Sequence, residues 1–128
     1  MTVDVELPRS AAAPASARRA LRELAGRVSE GRLRDVVLLV SELVTNAVRH
    51  AAGEHVRLIV TLDDRALRVE VHDPGEGFEL HEPAPDPARP SGWGLYLVAE
   101  LADRWGVDRV PRTLVWFEMD PEAGAAQA

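Results

Sequence analysis

Three short stretches of this sequence carry polar residues in patterns that could do chemistry. In RLRDVVLLVSELVTNAVRHA, Glu42, Asn46 and His50 are spaced four apart, so on a helix they fall along one stripe. Their neighbours are Val, Leu and Ala, and a carboxylate buried among such side chains is costly unless something neutralises it. The stripe therefore either faces solvent or lines a cleft. In a cleft, the amide oxygen of Asn46 and the carboxylate of Glu42 suit something cationic or proton-bearing. Oxygen ligands of this kind fit Mg²⁺, which keeps several waters and is also held by substrate phosphates. The second stretch, HDPGEGF, sets Asp73 ahead of Gly75 and Gly77. Taken alone it reads as a turn. Alternate glycines also let backbone approach a flat ligand, and a carboxylate on a pocket floor can accept a hydrogen bond from an exocyclic amine. Adenine has that amine; guanine has a carbonyl there. In the third stretch, SGWGLYLVAEL, Gly92 and Gly94 precede a helix, where free amides and the helix dipole make an anion site. The dinucleotide fingerprint is absent, because G-x-G-x-x-G is not completed.

These stretches need elements to position them. Val3, Val5 and Leu7 alternate with polar residues as a short strand ended by Pro8. Leu21, Leu24, Ala25 and Val28 recur at helical spacing in a stretch from about Ser10 to Val28, with Pro14 suited to a first turn. Gly31 punctuates, and Arg32 to about Ala51 reads as a second, more apolar and hence central helix, closed by Gly53. HVRLIVTLD and ALRVEVHD form a hairpin turning at Asp63, Asp64 and Arg65. A proline-dense loop spans 74–91, GLYLVAELADRW starts a third helix near Gly94, and two strands near 105–110 and 112–119 finish the sheet. The expected fold is α+β: a two-layer sandwich with a mixed, mostly antiparallel sheet and the helices on one face. Residues 1–119 form a single domain, and 120–128 a disordered tail.

Composition narrows the function classes. The chain has 128 residues, 46% hydrophobic and 28% charged, with net charge −6. That is an ordinary globular balance, and its sign argues against direct nucleic-acid binding. There is no cysteine, which excludes disulfides and thiolate metal sites. Every basic residue is arginine, which removes the P-loop, whose phosphate contact is a lysine. No apolar run is long enough to cross a membrane and no signal pattern opens the chain, so a cytoplasmic location is expected.

Three weak signals in one order are together specific. ELVTNAVRH, DPGEGF and GWGLYLV resemble the successive boxes of the GHKL (Bergerat-fold) ATPase superfamily, which includes gyrase, Hsp90, histidine kinases and MutL. Within it, SELVTNAVRHA near the start and TLVWFEM at the end resemble anti-sigma factor serine/threonine kinases, over about residues 5 to 119. The resemblance implies ATP and Mg²⁺ as ligands. It implies that Asn46 coordinates the metal and that Glu42 is the general base. Asp73 would hold the adenine amino group, supported by Thr113, with Gly75 and Gly77 beside the base. Gly92, Gly94 and Leu95 would give amides to the phosphates, under a lid at 79–91. It further implies a sigma factor and an anti-sigma antagonist protein as partners, and a homodimer.

The chain departs from that pattern in a lid with four prolines from Pro83 to Pro90, and in Trp93 between the two glycines. Both bear on lid closure more than on nucleotide binding. The rival reading is a non-catalytic ATP-binding interaction module, in which the nucleotide favours one state of a partner surface. A detached histidine-kinase fragment would need a helical dimerisation segment with a phosphorylatable histidine. His50 reads as structural, and His55, His72 and His81 lack metal-ligand spacing. Trp105 and Trp116 read as core aromatics, Glu70 and Asp103 as solvated charges, and Ser41 and Ser91 lack the partners of a hydrolytic nucleophile.

Overall fold

The computed structural model describes residues 1–50, 55–73, 93–108 and 113–121. In chain order they form β1 (Thr2–Pro8), α1 (Ala13–Ala20), a 3₁₀ turn (Leu21–Leu24), α2 (Glu30–His50), β2 (His55–Leu62), β3 (Leu67–Asp73), α3 (Trp93–Leu101), β4 (Arg104–Asp108) and β5 (Thr113–Met119). The sheet order is β1-β2-β3-β5-β4. Each neighbouring pair is antiparallel, so the five described strands contain no parallel pairing.

Alternation along the strands creates one apolar face. Val3, Val60, Val69, Phe117 and Trp105 line up across all five strands through successive register pairs. On α2, Val36, Leu39, Val40, Leu43, Val44 and Ala47 recur at helical spacing, are at most 2% exposed and join the same core. Each such Val or Leu contributes about 1.5–3 kcal/mol by leaving water, which is why α2 is the central element. The β2–β3 turn forms where expected. Asp63 Oδ1 accepts the amide N–H of Arg65 at 2.7 Å and of Ala66 at 2.9 Å.

Three boundaries differ from expectation. The stretch from Ser10 to Val28 is not one helix: α1 ends at Ala20 and tightens into a 3₁₀ turn. Residues three apart eclipse in that geometry, so Leu21 and Leu24 are both fully buried. Gly26 then takes φ +79°, a left-handed conformation that favours glycine. The central helix begins at Glu30, ahead of Gly31. The Ser29 hydroxyl accepts the Arg32 N–H at 3.1 Å and caps the first turn, with Gly31 inside it. The third helix stops at Leu101, because the Asp103 N–H is donated to the Glu118 carbonyl at 2.9 Å and draws the chain into β4. Trp105 is therefore a strand residue.

Trp116 is not a core aromatic. It lies on the sheet face opposite the helices, beneath the Arg68 guanidinium, 4.5 Å from its ring centroid. Glu70 is likewise not simply solvated. Arg68 Nε donates to its Oε2 at 2.8 Å, and His72 Nε2 lies 2.7 Å from its Oε1. Glu118 extends the chain of charges, 2.9 Å from Arg104 Nε and 3.4 Å from Arg68. Asp103 is exposed, and its Oδ2 accepts the Asp120 N–H at 2.7 Å.

Candidate functional site

Among the described residues, the buried polar side chains are Asp73, 1% exposed, and Thr113, 2% exposed. Asp73 ends β3 and Thr113 starts β5, and the register sets them directly opposite each other. Cross-strand partners project from the same face of a sheet. For Asp73 and Thr113 it is the face that also carries Val71 and Val115, two residues along each strand and both buried. A desolvated acid at a strand terminus, beside a hydroxyl that can donate or accept, suits a ligand that brings its own hydrogen-bond donor.

Strand register settles which end of the molecule this is. Pro8 pairs with His55 and Arg57 with His72, so the last residues of β1 and β3 and the first of β2 and β5 share one end of the sheet. The β2–β3 turn and Met119 lie at the other. Arg9 follows β1 directly, and its Nε donates to the Val48 carbonyl at 3.2 Å. That bond brings the C-terminal turn of α2 to the same end as Asp73 and Thr113. Asn46 lies two residues before Val48 and is half-buried, as is Glu42 one turn earlier. Both sit on a flank of α2 beside the stripe that ends in the fully buried Ala47.

α3 runs into β4 at the far end, where Ala102 donates its N–H to the Val98 carbonyl and Asp103 bonds Glu118. Nine residues span about 13 Å, which leaves the turn containing Trp93, Gly94 and Leu95 as the end remote from that junction. The first four amides of a helix have no partner within it. Leu95 keeps its side chain in the core at 6% exposure, so its backbone rather than its side chain can meet a ligand. Gly75, Gly77 and Gly92, the 79–91 loop, Gly53 and the tail from residue 122 lie outside the described residues, as does the His50 side chain. A cavity of about 310 Å³, lined by Met1, Arg27, Leu62, Asp63, Asp64 and Pro121, belongs to the opposite end.

On the sheet, neighbouring guanidinium groups hold several carboxyls below their ordinary values. Burial pushes the Glu70 carboxyl up, but hydrogen bonds from Arg68 and His72 outweigh it and hold the group below its ordinary value. The Arg104 guanidinium holds Glu118 low, and the Arg57 guanidinium does the same for Asp4. These groups secure the sheet. Arg9 carried no signal in the sequence, because its partner is a backbone carbonyl 39 residues away.

A helical layer on one face of an antiparallel sheet, with a buried acid and a buried hydroxyl paired at one end, defines the class as an α+β two-layer domain. Residues 7–118 match the family model of the histidine kinase-like ATPase domain, and the chain belongs to that family. It is 37% identical over 84 residues to the anti-sigma F factor of Clostridium acetobutylicum, a match covering 58% of this chain and 59% of that relative. The crystal structure of the RsbU and RsbW domains of Rv1364c from Mycobacterium tuberculosis has a TM-score of 0.72 at 21% identity, covering 93% of this chain and 31% of that one. The histidine kinase domain of the Erythrobacter litoralis EL346 blue-light activated kinase has a TM-score of 0.62 at 24% identity, covering 93% and 64%. The two solved structures share the fold, and this chain spans less than two thirds of the length of each of these relatives. Membership of an ATPase domain family makes ATP the ligand class.

Proposed function

We propose that this protein is an ATP- and Mg²⁺-dependent anti-sigma regulator that phosphorylates a serine or threonine of an antagonist protein. The observation that carries the reading is the gathering of Asp73, Thr113 and the α2 turn of Asn46 at one end of a sheet whose core is otherwise apolar. The likeness to an anti-sigma F factor supports the partner class, a sigma factor and its antagonist.

Asp73, with Thr113 beside it, accepts a hydrogen bond from the adenine amino group, directly or through water. The carboxylate repels the carbonyl that guanine has in that position. Gly75 and Gly77, by residue type, would let the backbone pass beside the base. Gly92, Gly94 and Leu95 would give amides to the phosphates, in keeping with a helix N-terminus as an anion site. Asn46 fits Mg²⁺ by donor type, since it presents an amide oxygen from a half-buried helix flank. The ion supplies charge neutralisation across the phosphates when bound. Glu42 takes the proton from the attacking hydroxyl. Positioning and electrostatics dominate phosphoryl transfer, so one base and a ring of amides suffice.

Titration calorimetry with Mg·ATP tests binding, and absence of heat from a folded sample ends the proposal. Radiolabelled ATP and a candidate anti-sigma antagonist protein from the same organism test transfer. Label that moves in the wild type and is lost by about a hundredfold or more in Glu42→Ala, with ATP still bound, supports the kinase. Binding without transfer by the wild type leaves a non-catalytic ATP module.

A further inference from the structure

We propose that Arg9 is a positioning residue for the metal end of this site, an inference that rests on the reading of Asn46 as the metal ligand. Val48 lies in the last described turn of α2. Arg9 Nε donates to its backbone carbonyl at 3.2 Å across a half-buried contact. A cation there also complements the negative end of the helix dipole. The bond joins two elements 39 residues apart and holds the turn two residues beyond Asn46 against the end of β1.

The two ends of the ligand should respond differently to its loss. Asp73 is fixed by the β3–β5 ladder, through its pairing with Thr113, and that ladder contains nothing from Arg9. Asn46 lies one turn from the last described residue of α2, next to the point where Arg9 ties that helix to the end of β1. Mg²⁺ demands near-ideal octahedral geometry, and a ligand displaced by about 1 Å loses much of its effect. Arg9 therefore governs the metal-dependent part of nucleotide affinity and leaves adenine recognition alone.

The experiment compares wild type, Arg9→Met and Arg9→Lys in the full chain. Arg9→Met keeps the aliphatic stem, and Arg9→Lys restores a cationic donor. Affinity is measured for Mg·ATP, for ATP in EDTA and for adenosine. Arg9→Met is expected to weaken Mg·ATP by about tenfold and to change adenosine by less than about twofold, with Arg9→Lys recovering most of the loss. Equal losses for adenosine and Mg·ATP, or no loss for either, overturn the proposal. If Arg9→Met does not fold, Arg9→Gln takes its place. Hydrogen exchange of the 46–50 amides without nucleotide gives an independent readout, expected to be faster in Arg9→Met. Unchanged exchange refutes the role of Arg9 even if Mg·ATP binds well. Faster exchange in a protein whose wild type binds no nucleotide refutes the functional reading, and with it the assignment of Arg9 to a metal site.

Discussion

Replacing Asp73 by Asn changes one oxygen for a nitrogen and removes a charge at a position only 1% exposed. On the proposed reading, a hydrogen bond from the adenine amine to this carboxylate is charge-assisted and contributes about 1.5–3 kcal/mol. Its loss corresponds to a rise in the Kd for Mg·ATP of about 10- to 150-fold. Asn is nearly isosteric with Asp, so thermal unfolding of the free Asp73→Asn protein separates any structural cost from the loss of affinity. GTP should move the other way relative to ATP, because the amide no longer repels a carbonyl. Calorimetric titration with ATP and GTP, beside thermal unfolding without nucleotide, measures all three. An Asp73→Asn protein that binds ATP as tightly as wild type, or loses ATP only in step with its melting temperature, refutes the assignment of this acid to the base.

Two further outcomes concern the sheet that carries the site. A Cβ at Gly106 would stand 2.7 Å from the Trp116 indole nitrogen, and Trp116 is already covered by Arg68. Gly106→Ala should therefore cost about 1–3 kcal/mol through overpacking, lower the melting temperature by several degrees and shift the tryptophan fluorescence; an unchanged transition speaks against the packing. Acid should also weaken the fold in a defined window. Glu70 and Glu118 are both held below their ordinary value of 4.5. Carboxyls depressed in the folded state add stability that is present above the unfolded pKa and disappears as pH falls through the folded one. Unfolding followed from pH 7 downward should show stability falling below about 4.5, less steeply in a Glu70→Gln, Glu118→Gln double variant. Identical slopes contradict the role of the two carboxylates.

Much of this molecule was legible because local rules and tertiary packing agreed. β1, the hairpin turn at Asp63 and the apolar stripe of α2 announce themselves by period and turn chemistry, and the sandwich buries the faces those periods predict. The misread boundaries have one kind of cause. Leu21 and Leu24 suit a 3₁₀ turn as well as an α-helix, and the end of α3 depends on an Asp103–Glu118 bond between distant positions. Strand alternation alone does not say which face receives the helices, so the side of the sheet that Trp116 takes is set by tertiary packing.

From the sequence alone came the order of the motifs, the residue types able to meet a nucleotide and the α+β class, since these depend on spacing along one chain. Only the tertiary structure decided that Asp73 faces Thr113, and that the α2 turn of Asn46 shares their end of the sheet. It also shows the contact of Arg9 with the Val48 carbonyl. Those relations are made by strand register and by a side chain reaching a carbonyl far along the chain, and no local pattern of residues encodes either one.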